Sequence, residues 1–318
     1  MGSGPVKRPR QRVAIDRFRI RKLHSRLTVA GQLTAEKGTP MPTANVNGIN
    51  VYYESHGDGF PLVFAYGIGG NTTEWEPQIP AFSERYRFIV WDPRGHGRSD
   101  SPPDADQYTQ EIFAQDLKGL LDHLGIERAY VGGLSMGGGI ATRLAILHPE
   151  RVAALLVIDS FSASGLETPQ VNRRMREEII RLAETEGMQA VADYSMENNP
   201  NISRTAGLGE TLKERILQMY LDLDPVGYAH STRMILNAVF DGGLLEGIKA
   251  PTLVLAGRED GALDACRYIH EKIVGSQLSV IPDAGHLSNL DQPQDFNQAV
   301  LEFLATVDRS RESQTVGI

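Results

Sequence analysis

The chain has 318 residues, a formal net charge of −8, 41% hydrophobic and 7% aromatic residues, and a single cysteine, Cys266. One thiol cannot build an intrachain disulfide framework, no Cys/His cluster has the spacing of a zinc site, and no apolar run approaches the roughly 20 residues that span a bilayer. One large or two smaller globular domains in a reducing compartment are expected, with a cytoplasmic location.

In chain order, residues 1–40 hold ten Lys or Arg against Asp16 and Glu36, whereas the other 278 residues carry 22 basic and 38 acidic side chains. This basic leader has no apolar run of signal-peptide length, and Val6 stands where a myristoylation signal needs Ser or Thr. From Met41, "MPTANVNGINVYYESHG" reads as the beginning of a globular domain, so residues 1–40 are expected to be a disordered or non-native extension with no nucleic-acid role.

"ANVNGINVYYE" (44–54) predicts two short strands around an Asn47-Gly48 turn. "PLVFAYG" (61–67) and "RFIVWD" (87–92) are continuous apolar runs, as in strands covered on both faces. Between them, Asn71 followed by Glu74 predicts a capping box opening a helix toward Arg85. "TQEIFAQDLKGLLDHLG" (109–125) predicts an amphipathic helix stopped by Gly125, then a strand at 129–133, a helix from Met136 to about His148, and strands at 153–158, 252–256 and 278–281. This alternation implies a mostly parallel sheet flanked by helices.

The rhythm breaks between Phe161 and Glu246, where helical periodicity recurs at 171–187, 209–223 and 225–240 and "ENNPNIS" (197–203) reads as a loop. An all-helical insertion cannot join the sheet and is expected to cap its carboxyl edge. The expected organisation is therefore a core of 41–161 and 247–310, a cap of 162–246, and a tail of 311–318. The last helix is predicted from Gln292 to Leu304. In the cap, Met188, Tyr194, Met196, Met219, Tyr220 and Met234 read as core packing rather than substrate contacts.

The chemistry begins at Gly133-Leu134-Ser135-Met136-Gly137, a Gly-x-Ser-x-Gly pattern between a predicted strand and helix. A sharp turn that presents the serine above the sheet needs small residues two positions either side, where a side chain would strike backbone. A serine hydroxyl needs a base to take its proton, and His286 follows the predicted strand ending near Ile281. The imidazole in turn needs a carboxylate. Asp260, in the turn Gly257-Arg258-Glu259-Asp260, is the first candidate, with Asp159 and Asp264 as competitors. The oxyanion hole is assigned to the backbone amides of Ile68, in "YGIGG" (66–70), and Met136. Arg94 and Arg98, in "WDPRGHGRSD" (91–100), read as part of a structural turn.

With these motifs in the order Ser135, Asp260, His286, residues 44–306 resemble the α/β-hydrolase superfamily along nearly their whole length. "DAGHLSNLDQPQDFN" together with "GLSMGG" is similar to its 3-oxoadipate enol-lactonase and carboxylesterase branch. The resemblance implies an eight-stranded, mostly parallel sheet with a helical cap inserted before the acid-bearing strand. It also implies a Ser-His-Asp hydrolase of a small-molecule carboxylic ester or lactone, with no metal and no organic cofactor. Tyr66 departs from it, because the family usually has His before the glycine, and could alter what the pocket reads. Carbon–carbon bond hydrolysis and cofactor-free perhydrolysis on the same triad are the alternatives. A ligand-binding receptor or scaffold with slow or no turnover is the alternative of another class.

Overall fold

Asn47 and Gly48 both take positive φ, 48° and 78°, and so turn β1 (Thr43–Val46) back on β2 (Ile49–His56) as an antiparallel hairpin. The computed structural model describes residues 1, 42–167, 169–239 and 241–316. The basic leader, with everything expected of it, lies outside the described residues apart from Met1, as do Thr168 and Phe240.

The apolar runs become β3 (Phe60–Ala65), β4 (Tyr86–Trp91), β5 (Ala129–Leu134), β6 (Val152–Ile158), β7 (Thr252–Gly257) and β8 (Gln277–Ile281). Together the described strands form an eight-stranded sheet in the order β1-β2-β4-β3-β5-β6-β7-β8, parallel from β4 to β8 and antiparallel where β2 meets β4. Alternate residues of each inner strand feed two separate apolar layers. Leu62 and Phe64 pack with Trp75, Phe82, Phe88 and Phe296 on one face, and Val63 and Ala65 with Phe113, Leu117, Ile140 and Leu144 on the other. With both faces buried, each such side chain contributes about 1.5–3 kcal/mol, so polar alternation is absent from the sequence of these strands.

α2 (Gln110–His123) starts at Thr109, whose Oγ1 accepts the Ile112 N–H at 3.2 Å, and α3 (Met136–Leu147) follows β5. The helix predicted from Asn71 to Arg85 is instead a 3₁₀ turn, Thr72–Trp75, and a short α1, Ile79–Ser83. Asn71 does cap, accepting the Thr73 N–H at 3.0 Å. The Glu74 side chain does not complete the box, and Pro77 and Pro80 interrupt a continuous helix.

Between β6 and β7 lie α4 (Gln170–Thr185), α5 (Met188–Asn198), α6 (Pro200–Ala206), α7 (Glu210–Leu221) and α8 (Pro225–Leu236), packed on one another. The segment 197–203, expected as a loop, belongs to α5 and α6. Asn199 accepts the Asn201 N–H at 3.1 Å and Pro200 occupies the first helical position, so turn-forming residues here start a helix. After α9 (Leu263–Lys272) and α10 (Ser288–Asp291), α11 runs over Pro293–Val316, well past Leu304 and through most of the expected tail. Its extra turns are tied to the sheet: Tyr86 Oη donates to Asp308 Oδ2 at 2.8 Å, and the Arg311 guanidinium stacks 3.7 Å from the Phe60 ring centroid.

The site is positioned by the sheet order. β3 is flanked by β4 and β5, so the loop leaving β3 and the turn leaving β5 start side by side, at Ala65 and Gly133, where connections diverge to opposite sides. Such a switch point opens a crevice at the carboxyl edge.

Candidate active site

Ser135 follows β5 directly and takes φ 53° and ψ −111°, a conformation that costs an L residue about 1–3 kcal/mol. Neighbouring backbone holds it there. Its N–H donates to Ile158 O at 2.8 Å, its carbonyl accepts from Ser160 Oγ at 2.6 Å and Ser162 Oγ at 3.1 Å, and Gly137 N–H donates to Tyr66 O at 3.0 Å. A Cβ at either Gly133 or Gly137 would lie 2.3 Å from Ala65 O, which is why both positions are glycine. The serine is 8% exposed.

His286 is carried by the loop between β8 and α10. This loop is pinned to the one after β7 by Glu259 N–H, which donates to Ala284 O at 3.0 Å, and to α10 by Gly285 N–H, which donates to Asp291 Oδ2 at 2.7 Å. His286 Nδ1 thereby comes 2.9 Å from Asp260 Oδ1, which also accepts the Ala262 N–H at 3.0 Å. Burial would raise the Asp260 carboxyl, but the His286 charge and hydrogen bond, with the Ala262 amide, outweigh it and hold the group below the usual range.

Of the competing acids, Asp159 ends β6 with φ 45° and is fully buried. It accepts from Gly257 N–H at 2.8 Å and from Ser288 Oγ, and it does not contact His286. Burial, then the adjacent Asp260 carboxylate, push it well above the usual range and so favour its neutral form. Asp264 is 92% exposed at its side chain and pairs with Arg267 at 2.9 Å, away from the imidazole.

The loop after β3 passes over the serine: a Cβ on Gly67 would lie 3.7 Å from Ser135 Oγ. Its turn closes through Gly70 N–H donating to Gly67 O at 3.1 Å, with Gly69 at φ 91° against the Tyr220 ring. Neither the Ile68 nor the Met136 amide is donated to an acceptor among the described residues, so both remain available to a ligand oxygen.

Two chambers meet at Ser135 and His286. One is walled by Ile68, Glu74, Ile216, Met219, Tyr220 and Tyr228, and the other by Phe161, Met175, Pro200 and Ile235, with Arg176, Asn199 and Asn201 in both. Ser135 Oγ makes no hydrogen bond among the described residues. Met219 and Tyr220, expected to serve packing alone, also form cavity wall. Glu74, Arg176 and Tyr228 were not singled out in the sequence. Glu74 was absorbed by an apparent capping box, and the other two carry no motif.

Tyr66, by contrast, does not read the pocket. Its ring is buried and its hydroxyl donates to Asp92 Oδ1 at 2.7 Å. Asp92 Oδ2 accepts the Arg98 N–H at 2.8 Å, and Arg94 makes a two-pronged contact with Asp116 at 2.6 and 2.7 Å, so this segment ties the turn together. His96 is fully buried, which pushes it down to about 4 and keeps it neutral. Among the described residues no group of three or more His, Cys, Asp or Glu could hold a metal, and no helix is long and apolar enough to cross a membrane.

A family model described as alpha/beta hydrolase fold matches residues 61–293. The chain is 32% identical over 244 residues to 3-oxoadipate enol-lactonase 2 of Acinetobacter baylyi, a match covering 75% of this chain and 86% of that protein. It is 28% identical over 291 residues to a putative carbamate hydrolase RutD of a Caulobacter species, covering 83% and 98%. Among solved structures, the enol-lactonase from Burkholderia xenovorans LB400 superposes with a TM-score of 0.72 at 30% identity, over 83% of this chain and 100% of that one.

Proposed function

The chain belongs to the alpha/beta hydrolase fold family and is a hydrolase, and on that premise we propose that it cleaves a carboxylic ester or lactone through an acyl-enzyme on Ser135. The observation that carries this is the 2.9 Å contact from His286 Nδ1 to Asp260 Oδ1, with the imidazole and the strained Ser135 lining the same cavity.

In this reading Ser135 Oγ attacks the carbonyl carbon while His286 Nε2 takes its proton. Asp260 fixes the imidazole tautomer and stabilises the cation that forms. The amides of Ile68 and Met136 donate to the oxyanion, and the positive end of α3 adds to that stabilisation. His286 returns the proton to the departing alkoxide, which in a lactone stays attached to the acyl group. Water activated by the same imidazole then releases the acid. The helices α4–α8 act as a cap that walls the cavity, on a core formed by 41–161 and 247–310.

Ser135→Ala is expected to lower kcat/KM on p-nitrophenyl esters by about 10⁴-fold or more. A fluorophosphonate probe should label the wild type at Ser135 and leave the variant unlabelled. Full activity in the variant, or labelling elsewhere, removes Ser135 as nucleophile.

A further inference from the structure

Glu74 is 2% exposed, yet it lines the chamber shared with Ser135 and His286. Its carboxyl packs against the oxyanion loop, since a Cβ on Gly70 would lie 2.4 Å from Glu74 Oε2. Oε1 has no hydrogen-bond partner among the described residues. A cap role is already filled by Asn71, and a side chain needed only for packing would be less costly as Leu or Met than as a carboxyl with an unpaired oxygen. The opposing charge is Arg215 on α7, which is itself engaged with Glu76 at 2.8 Å and Thr73 O at 2.9 Å. Burial prevails over Arg215 and pushes the Glu74 carboxyl up to about 8, so at neutral pH it carries a proton that can be donated.

We propose that Glu74 is a specificity-determining residue of this site, whose carboxylic acid donates a hydrogen bond to a keto, ether or hydroxyl oxygen on the non-reacting part of the acyl group. The substrate class is then an oxygenated acyl ester or lactone rather than a plain alkyl one. The inference rests on Ser135 being the nucleophile of this chamber. Polar groups elsewhere on the wall point the same way. Arg176 has the phenols of Tyr220 and Tyr228 as its electrostatic neighbours, and Asn199 and Asn201 lie beside it. An alkyl chain would leave the unpaired Glu74 oxygen without a partner, and a site built to pair an oxygen discriminates against the analogue that lacks it.

The preference depends on pH with a definite sign. Below about 8 the acid is neutral and donates; above it, the carboxylate has no proton to give and repels the acceptor oxygen. The groups that face Glu74 are Arg215 and Tyr220 from α7 and Tyr66 from the end of β3, and the Tyr66 phenol is already donated to Asp92.

The test compares p-nitrophenyl hexanoate with p-nitrophenyl 5-oxohexanoate, following acid release from pH 6 to 10 in wild type, Glu74→Gln and Glu74→Leu. Wild type should favour the oxo ester by about tenfold in kcat/KM below pH 8, with the ratio falling as pH passes 8. Glu74→Gln keeps a donor and should keep the ratio without the fall, and Glu74→Leu should bring the ratio near one. A wild-type ratio that does not change with pH, or equal ratios in wild type and Glu74→Gln across the whole range, overturns the inference even if Glu74→Leu does not fold. Ser135→Ala on both esters separates the two levels: if it stays active, the serine reading falls and this one with it. If it is inactive while the ratio ignores position 74, only the role of Glu74 falls.

Discussion

Asp159 and Asp260 stand at the ends of the neighbouring strands β6 and β7, and their protonation states set them apart. The Asp260 carboxyl is held below the usual range facing His286, and the buried Asp159 is held above it by its surroundings and by Asp260 itself. Replacing a charged orienting group with its amide leaves the shape but permits the wrong imidazole tautomer, so Asp260→Asn is expected to lower kcat by about 10⁴-fold. Asp159→Asn puts a neutral amide where burial and Asp260 already favour the uncharged acid. Asn tolerates the φ of 45°, and its amide can still accept from Gly257 N–H and pair with Ser288. Its loss should stay within about tenfold, as judged by steady-state kinetics on the same ester. Equal losses in the two variants would move the orienting role to Asp159.

At the scale of elements, the elbow depends on a close approach between β3 and the start of α3, and two glycines separate that contact from ordinary backbone strain. A Cβ at Gly137 would meet Ala65 O at 2.3 Å, whereas one at Gly125, φ 65°, meets nothing within 4 Å. Gly125→Ala should therefore cost only about 1 kcal/mol, the strain of a positive φ. Gly137→Ala must push β3 away from α3, so it should lower the melting temperature further and slow fluorophosphonate labelling of Ser135. Labelling of Gly137→Ala at the wild-type rate would show that the elbow tolerates the displacement.

The same contrast explains what was legible in the sequence. The apolar runs of β3 to β7, the glycine spacing around Ser135 and the stop at Gly125 are local consequences of local chemistry, and they read directly. The 3₁₀ turn after Asn71 and the start of α6 at Pro200 were misread because the same residue types build loops and helix starts. Glu74 and Arg176 were invisible as wall residues because they join Ser135 in one chamber only once the turn after β3 and α4, far apart in sequence, come together in the fold, a long-range event with no sequence motif.

For the whole molecule, burying Glu74 couples folding to protonation. An unfolded chain releases this proton near 4.5, whereas the folded one holds it to about 8. Below 4.5 both states are protonated and the group is neutral to stability. Between 4.5 and 8 only the native state keeps the proton, so native stability falls progressively as pH rises, at up to roughly 1.4 kcal/mol per pH unit for one proton. Asp92, Asp116 and Asp159 are also raised, burial being the largest cause for each, and they add to the slope of the wild type. The difference between wild type and Glu74→Gln isolates the one group, because glutamine has no proton to lose. Thermal unfolding from pH 5 to 8 should therefore show the Glu74→Gln melting temperature gaining on the wild type at each step, with the gap levelling off above 8. A gap that stayed constant across that range would mean that Glu74 is ionised in the folded protein, and that the chamber beside Ser135 carries a negative charge at neutral pH.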